Sequence, residues 1–368
     1  MVKCCKGIVF LLFLLFAVRA FGLPAFASYE GTPCATCHVN PTGGGMRRDM
    51  GFIYGVHELP YSEKAKVISP KIAEGLKIGA DFRHLAYAAQ STQFQGTKNT
   101  FLTMQGDIYL HYNLGENLEF YLDKGLYQGF EVMAILSKEK PYLKIGRFLP
   151  PYGLRFDDHN VYTLSPPGSS TPFSAGGFSR GEDSGIEVGY MDDNFIAALA
   201  VQNGRPGPGF QFDFGEDEGK AVTATIKGFQ KHFLLGGSYY RNFQRFPGTE
   251  LEFVGGHGGI HYGKFNLITQ VDYMVKRDAP SDTINADNIV SHTEARYRAK
   301  QGIDLLLQYD FFDVDSLEAP WDADFERISL GTALFPIRYL EVLFLTRFNL
   351  YVPKDEAWEA NLLFHLFF

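Results

Sequence analysis

Residues 303–311 read IDLLLQYDF, and this stretch alternates between two kinds of side chain. Apolar or aromatic residues stand at every odd position, whereas Asp304, Gln308 and Asp310 stand at even positions. Successive side chains of a β-strand point to opposite faces, so the stretch predicts a strand with one apolar and one polar face. The same alternation occurs over residues 104–112 and 340–350. It fits both a soluble β-sandwich and a membrane-spanning β-barrel.

The lengths of these stretches and of their connections favour the barrel. From about Gly75 onward the stretches are about 9 to 15 residues long, whereas strands of soluble sheets average about 5 to 6 residues. Short connections alternate with long ones, as they do between the two ends of a membrane barrel. The short connections lie near residues 115–117, 192–193, 230–231, 263–264, 300–301 and 336–337, and the long ones near 91–100, 149–182, 204–218, 277–286 and 314–321.

The alternation predicts an all-β fold, a transmembrane antiparallel β-barrel over residues 76–368 with about 16 strands. An even number of strands places both ends of the barrel sequence on the same side of the membrane. A barrel of about 16 to 18 strands leaves a water-filled interior that has room for solvent or a small domain. We expect the strands to begin near residues 76, 101, 117, 129, 141, 183, 194, 219, 231, 250, 264, 287, 301, 322, 337 and 356.

The last stretch and the composition indicate where such a barrel would reside. Residues 356–368 end on the aromatic Phe368, which resembles the assembly signal of bacterial outer-membrane proteins. Aromatic residues make up 15% of the chain and there are 39 glycines, as expected for strands with aromatic girdles. We therefore expect the lipid outer membrane as the environment. The formal net charge of −8 argues against nucleic acid as a partner.

Residues 1–27 have the features of a signal peptide. Lys3 and Lys6 precede an apolar stretch at 7–18, and residues 25–27 form an Ala-Phe-Ala cleavage site. The apolar stretch is short for a membrane span, and an uncleaved membrane anchor is the alternative. We expect the mature chain to begin at Ser28 and to contain no transmembrane helix.

After the expected cleavage site, residues 34–38 read CATCH, which is the attachment motif of c-type haem. Cys34 and Cys37 can each form a thioether with a haem vinyl group, and His38 can then bind the iron as the proximal ligand. The alternatives for the cysteine pair are a disulfide, a redox pair or half of a zinc site. A redox pair favours a βαβ context, and zinc requires four ligands. The two other cysteines are lost with the signal peptide, so we predict one covalent haem c.

The expected haem segment, residues 28–75, is too short for a robust core of its own, and a bound haem would supply apolar mass. A turn is expected at 40–45, followed by a helix from Met46. A histidine as distal ligand would give a low reduction potential and a methionine a higher one, although ordinary packing is the alternative role for each methionine. The candidates are His57, Met50 and Met46 on one face of the predicted helix, and lumenal His111 or His365 if the segment lies inside the barrel.

The longest predicted connection, 149–182, is extracellular by strand parity. Long barrel loops either fold inward or form a surface site. This one carries oxygen and imidazole ligands suited to a ferrous ion at Asp157, Asp158 and His159. A second acidic cluster on the same side contains Asp213, Glu216, Asp217 and Glu218, and an acidic rim would concentrate cations. Solvated surface charge is the alternative interpretation of both clusters.

The N-terminal pattern resembles the fused monohaem cytochrome c–porin family of outer-membrane iron oxidases and extracellular electron-transfer proteins. In that family, P-x-F-A is followed by three variable residues, a glycine, two more residues and C-x-x-C-H. This chain has the same spacing, with Pro24, Phe26 and Ala27, then Gly31, then the motif. It departs from the family at residues 28–30, where Ser-Tyr-Glu replaces the usual Arg-Gln-Thr. A sister group with a different redox partner is therefore an alternative.

The resemblance implies a monohaem segment plugged into a porin. Such a protein passes electrons between an extracellular partner, with ferrous iron as one candidate, and periplasmic c-type cytochromes. Whether the chain is itself an Fe(II) oxidase stays open. The alternative function is a diffusion or substrate-specific porin with a structural or sensory haem. Because the hydrocarbon core of a membrane is about 30 Å thick, a single-protein conduit requires the haem inside the barrel rather than on a periplasmic stub.

Overall fold

The computed structural model describes residues 25–91, 96–125, 130–138, 140–156, 161–164, 182–204, 219–243, 249–278, 283–314, 325–351 and 355–368. An N-terminal segment with short helices precedes an antiparallel sheet that closes on itself.

Sixteen antiparallel strands, β2 to β17, form the barrel, and the last strand pairs with the first over residues 357–367 and 81–91. Closure pairs the backbone N–H and C=O groups of every strand with a neighbouring strand, which leaves no free sheet edge. The predicted all-β barrel is therefore confirmed. Its strands are β2 (Leu76–Ser91), β3 (Lys98–Asn113), β4 (Leu118–Gly125), β5 (Phe130–Ser137), β6 (Pro141–Phe148), β7 (Asp183–Asp192), β8 (Phe195–Gln202), β9 (Ala221–Gln230), β10 (Phe233–Asn242), β11 (Thr249–Tyr262), β12 (Phe265–Asp278), β13 (Thr283–Lys300), β14 (Ile303–Val314), β15 (Phe325–Ile337), β16 (Leu340–Tyr351) and β17 (Asp355–Phe367).

Every predicted strand begins within four residues of an observed one. The largest difference is at β13, which begins at Thr283 rather than near 287. The pairing of β12 with β13 shifts register between Lys276 and Arg277, so the first residues of β13 are out of phase with the rest. A bulge of this kind interrupts the period-two pattern from which the strand was predicted.

The alternating side chains of β14 show which face of the barrel meets which environment. Leu307 is 49% exposed on the outside, whereas Asp310 is fully buried on the inside. In a soluble sandwich the apolar face would be buried and the polar face exposed. An apolar exterior around a polar interior is instead the arrangement of a membrane barrel.

The short connections lie together at one end of the barrel. Consecutive strands are antiparallel, so connections alternate between the two ends. Only two residues separate β7 from β8, β9 from β10, β11 from β12, β13 from β14 and β15 from β16. All five of these turns therefore share one end, here called the short-turn end, and the longer loops share the other.

The N-terminal segment contains α1 (Ala25–Glu30), α2 (Cys34–Cys37), α3 (Asp49–Ile53), a π-helical turn (Tyr54–Glu58) and the short strand β1 (Lys71–Ala73), which pairs with β2. The predicted helix begins at Asp49 rather than at Met46. The backbone N–H of Val39 donates to the carbonyl of Met46 at 3.0 Å, and His38 bridges Arg47, so these residues are extended. Among the described helices, none is long and apolar enough to span a membrane.

Candidate functional site

The motif residues form one short helical turn early in the N-terminal segment. Cys34 and Cys37 begin and end α2, and both are free thiols. Residues three apart on a helix lie on the same side, as attachment to the two vinyl groups of one haem requires. His38 follows in an extended conformation and donates its backbone N–H to the carbonyl of Cys34 at 2.8 Å. Burial raises the pKa of both thiols.

Two glycines leave space beside the motif. A Cβ at Gly43 would lie 3.1 Å from Cβ and 3.2 Å from Sγ of Cys34, and the φ of +98° also favours glycine there. A Cβ at Gly51 in α3 would lie 2.3 Å from the carbonyl oxygen of Cys37. Side chains at either position would crowd the cysteines. The donor set and this cradle fit covalent attachment of a c-type haem.

The N-terminal segment enters the barrel along strands β9 to β11. At the short-turn end, a Cβ on Gly31 would lie 2.9 Å from the Cα of Lys231, and the ring of Tyr29 meets His261 edge-on with centroids 4.9 Å apart. Cys34 lies deeper, where the ammonium of Lys227 acts electrostatically on its thiol. The motif therefore lies in the lumen, beside Gly43 and on the side of the barrel that carries Lys227.

The residues that follow the motif cross to the opposite wall. The Lys144 ammonium on β6 donates to Oδ1 of Asn40 at 3.3 Å. The Met46 backbone N–H donates to the Tyr121 hydroxyl on β4, also at 3.3 Å. Val39 and Met46 are buried in one cluster with aromatic and aliphatic side chains of β3 to β6. The segment is thus held by both sides of the lumen.

The end of the segment is fastened at the short-turn end. The Arg338 guanidinium, beside the β15–β16 turn, donates to the carbonyls of Val56, Glu63 and Ala65 at 2.6 to 2.9 Å. The Gln301 amide at the β13–β14 turn donates to the carbonyl of Pro60 at 2.9 Å. Side chains of this part of the barrel therefore hold the segment by its own backbone.

The predicted distal ligands on the segment lie in different surroundings. Met50 is 58% exposed, and the His57 side chain is 45% exposed with Nδ1 3.7 Å from a Glu63 carboxylate oxygen. Met46 is buried, with its sulfur against Gly79 of β2. Because α3 starts only at Asp49, Met46 does not share the predicted helical face.

The two predicted lumenal histidines have carboxylate partners. Nε2 of His111 lies 2.9 Å from Glu119. His365 lies between Asp81 at 2.9 Å from Nε2 and Glu341 at 2.8 Å from Nδ1, so both of its ring nitrogens are engaged. These contacts hold both imidazoles against the barrel wall.

A further lumenal histidine, His257 on β11, was not among the residues predicted from the sequence. Its exposed fraction is 3%, and neither ring nitrogen has a hydrogen-bond partner among the described residues. It stands between two pairs of glycines in the run 255–259. Glycines in a strand often mark a close approach, and that was the signal available in the sequence.

The connection between β6 and β7 folds into the lumen over its described residues. The Tyr152 hydroxyl donates to Asp272 on β12 at 2.9 Å, and the Leu154 backbone N–H donates to the side chain of Gln270 at 2.6 Å. Farther along, the Tyr162 backbone N–H donates to a carboxylate on β14 at 2.9 Å. A long barrel loop was expected either to fold inward or to form a surface site. The described part of this loop folds inward. The predicted cation ligands Asp157, Asp158 and His159 lie outside the described residues, as does the acidic cluster within 213–218.

Arg155 joins this inward loop to the N-terminal segment. Its guanidinium donates to the carbonyl of Gly43, beside Cys34, and lies 3.5 Å from the Glu131 carboxylate on β5. A Cβ on Gly44 would lie 2.7 Å from the same guanidinium. One cation thus connects the loop, the segment and the barrel wall.

Solved structures resemble the barrel over most of its length. It has the fold of the outer-membrane porins. An anion-selective porin from Comamonas acidovorans matches 80% of this chain and 99% of its own with a TM-score of 0.60 and 11% identity. OmpT of Vibrio cholerae, an outer-membrane protein, matches with a TM-score of 0.56 and 10% identity, and the match covers 82% of this chain and 100% of OmpT. The outer-membrane channel DcaP of Acinetobacter baumannii matches with a TM-score of 0.54 and 10% identity, and the coverage of the two chains is the same as for OmpT.

The porin likeness concerns the fold alone at these identities. No protein-family model matches the chain, and no curated protein matches it either. The haem motif and the cytochrome–porin resemblance therefore stay predictions from the sequence.

Proposed function

We propose that the chain is an outer-membrane monohaem cytochrome–porin fusion. It carries electrons between an extracellular redox partner, with ferrous iron as one candidate, and periplasmic c-type cytochromes. The observation that carries the proposal is the attachment motif held inside a closed barrel, with free thiols at Cys34 and Cys37 and an imidazole at His38. The apolar exterior of the barrel supports the outer membrane as its location.

The residues of the motif have separate roles. Cys34 and Cys37 would hold a haem through thioethers to its vinyl groups, and the imidazole of His38 would bind its iron. Bound haem supplies a one-electron carrier. The two cysteines are partly buried, and the glycines beside them leave the room that attachment would need. Arg155 holds the neighbouring turn through the carbonyl of Gly43.

The position of the motif supports transfer across the membrane rather than on one face. The hydrocarbon core is about 30 Å thick, so a single redox group must lie within it or be met by another carrier. The contacts of Asn40 with Lys144 and of Met46 with Tyr121 lie on the inner wall of the barrel. A carrier held there shortens the gap to partners on both sides.

Liposomes test this proposal. Purified protein is reconstituted with a periplasmic-type c cytochrome trapped inside, and a membrane-impermeant ferrous chelate is added outside. We expect the trapped cytochrome to be reduced with the haem-bearing chain and not with a Cys34→Ser/Cys37→Ser variant. A trapped fluorescent dye of the size of the chelate controls for leakage. Equal reduction by both proteins without dye release contradicts the proposal.

The second candidate function is a diffusion or substrate-specific porin with a structural or sensory haem. The observation that favours it is the likeness to porins, one of which is named as anion-selective. Conductance in planar bilayers separates the two functions. A large, steady, ion-selective conductance from the intact haem-bearing chain favours the porin, and a closed barrel favours the conduit.

A further inference from the structure

Phe26 packs inside the mouth of the barrel although it precedes the expected cleavage site. Its ring centroid lies 5.7 Å from that of Tyr54 and 6.0 Å from that of Phe335, and the ring of Phe335 meets it edge-on. The guanidinium carbon of Arg296 lies 5.6 Å from the same centroid. Phe26 also packs against the buried apolar cluster that the segment forms with β14, β15 and β17. The segment and two different strands of the wall thus supply contacts to this one ring.

The cation beside Phe26 belongs to a row on the inner wall. Side chains two positions apart on a strand point to the same face, so Arg296 and Arg298 of β13 stand in line. Arg298 lies 4.1 Å from the ring centroid of Tyr29, while Arg296 faces Phe26 farther from the turn. Each guanidinium is oriented by a carboxylate oxygen 3.2 Å away. A cation within about 6 Å of an aromatic centroid is attracted to the ring face, so the row holds two successive rings of the segment.

The helix that carries both rings continues through the expected cleavage site. α1 spans Ala25–Glu30, and cleavage after Ala27 would leave only its second half. That remnant is too short to close the hydrogen bond of an α-helical turn, which joins residues four apart. The cut would also create an α-ammonium at Ser28, where a cation is unfavourable at a helix N-terminus and the neighbouring rings already face guanidiniums. A mature chain that begins at Ser28 therefore loses the helix as well as Phe26.

The sequence contains a second site suited to signal peptidase, earlier in the chain. Residues 18–20 read Val-Arg-Ala and stand at the end of the apolar stretch at 7–18. Signal peptidase requires small side chains at the last and third-last positions before the cut, and Val18 and Ala20 satisfy this pattern. Cleavage after Ala20 gives a chain that begins at Phe21 and keeps the whole of α1.

We propose that signal peptidase cleaves after Ala20 and that Phe26 stays in the mature chain as the first anchor of the N-terminal segment. In this step water adds across the peptide bond between Ala20 and Phe21, which leaves a carboxylate on one product and an amine on the other. A residue that is removed before the barrel folds places no constraint on the lumen wall, whereas Phe26 has partners on β13 and β15. The inference stands apart from the proposed function, because it requires no haem.

Mass spectrometry of the full-length gene product, extracted from the outer membrane of a bacterial host, locates the first residue. Intact mass gives the length of the chain, and the N-terminal peptide identifies its start whether or not haem is attached. We expect the chain to begin at Phe21. A chain that begins at Ser28, or at any residue after Phe26, overturns the inference, and so does an uncleaved chain that still begins at Met1.

Two matched substitutions test the cleavage site itself. Because the residue before the cut must be small, Ala20→Leu should leave the signal peptide attached. Ala27→Leu makes the same change at the other site and should be processed as the wild type. Normal processing of Ala20→Leu together with a block in Ala27→Leu overturns the inference.

Phe26→Ala tests the anchor in the folded protein. We expect faster hydrogen exchange in the peptide that covers Tyr54, since that residue loses its ring partner. The peptide that covers Met46 should stay protected, because its backbone N–H donates to Tyr121 on the opposite wall. If cleavage removes Phe26, the mature variant and the mature wild type are the same molecule. Equal masses and equal exchange of the two proteins therefore overturn the inference.

Discussion

At the scale of single residues, Gly51 lies directly against Cys37 of the C-x-x-C-H motif. A Cβ there would lie 2.3 Å from the backbone carbonyl oxygen of Cys37, which is closer than real contacts allow. We expect Gly51→Ala to displace Cys37 and to leave most of the chain without covalent haem, although alanine favours a helix intrinsically. Intact-mass spectrometry of the matured protein measures the haem-bearing fraction.

The control for this substitution is Gly55→Ala in the adjoining π-helical turn. Its Cβ would lie 3.5 Å from the ring of Phe367, an ordinary van der Waals distance. Haem attachment should therefore match the wild type. Equal attachment in Gly51→Ala and Gly55→Ala contradicts the role given to Gly51.

A second residue-scale prediction concerns the ion pair of Lys144 and Glu187. Both side chains are fully buried, their charged atoms are 2.6 Å apart, and the Tyr142 hydroxyl donates to the same carboxylate at 2.7 Å. Removing one partner of a buried pair leaves an uncompensated charge, so Lys144→Met should lower the free energy of unfolding by about 3 to 5 kcal/mol. Urea unfolding in detergent, followed by the heat-modifiable gel shift of the folded barrel, measures this loss.

The matched control is Lys140→Met, four residues earlier and just before β6. Lys140 lies 3.6 Å from Asp192 with a side chain that is 57% exposed, and solvent screens such a pair. We expect no measurable change in the unfolding midpoint. A similar loss in both variants would mean that the buried pair contributes little beyond the effect of losing any lysine.

The part of the site that could be predicted is the part encoded in contiguous residues. Cys34, Cys37 and His38 are recognisable because attachment to one haem fixes their spacing within five positions of the chain. The neighbours of the lumenal His257 were not predictable, since they depend on the pairing register of β9, β10 and β11. The alternation of polar and apolar residues predicts which side chains face inward. It does not predict which inward-facing side chains contact one another.

At the scale of elements, strands were predictable and the course of the loops was not. Alternation placed all sixteen strands because the membrane and the lumen impose opposite polarities on successive residues. The helix predicted from Met46 began later because residues 39 and 46 pair through their backbones, a contact that a helical period does not reveal. The inward course of the loop after β6 likewise depends on distant partners such as Asp272 and Gln270.

The inward loop gives a prediction of its own through Arg155. Its guanidinium donates to the carbonyl of Gly43 and contacts Glu131, so Arg155→Ala should loosen the turn at 43–45. We expect faster hydrogen exchange of the peptide that covers this turn. The Leu154 amide should stay protected, because its acceptor is the side chain of Gln270 at 2.6 Å.

Gln270→Leu is the reciprocal control for the loop. It removes the acceptor of the Leu154 amide and leaves the contact of Arg155 with Gly43, so exchange should rise at 154 and not at 43–45. Hydrogen-exchange mass spectrometry of both variants measures the two sites separately. Loss of protection at both sites in either variant would show that loop and segment open as one unit.

At the scale of the whole molecule, the decisive question is whether the N-terminal segment closes a barrel that has the porin fold. The segment contacts β4 and β6 from within and the ends of β9 and β15, and the loop after β6 reaches β12 and β14. Two pieces of chain therefore occupy the lumen between opposite walls. The proposed conduit predicts that these pieces close the lumen, whereas the alternative porin function predicts that the barrel still conducts.

Deleting residues 28–64 tests that closure. The barrel strands pair only with one another apart from β1, so the deletion should still assemble, and its conductance in planar bilayers should rise well above that of the intact chain. Among the buried side chains of the described residues, ten are Asp or Glu and seven are Lys or Arg, so the opened pore should prefer cations. The Cys34→Ser/Cys37→Ser variant, which keeps the segment, should stay closed. If the intact chain conducts as well as the deletion, the segment does not block the pore and the porin function gains support. If neither conducts, the loop after β6 closes the barrel without help from the segment.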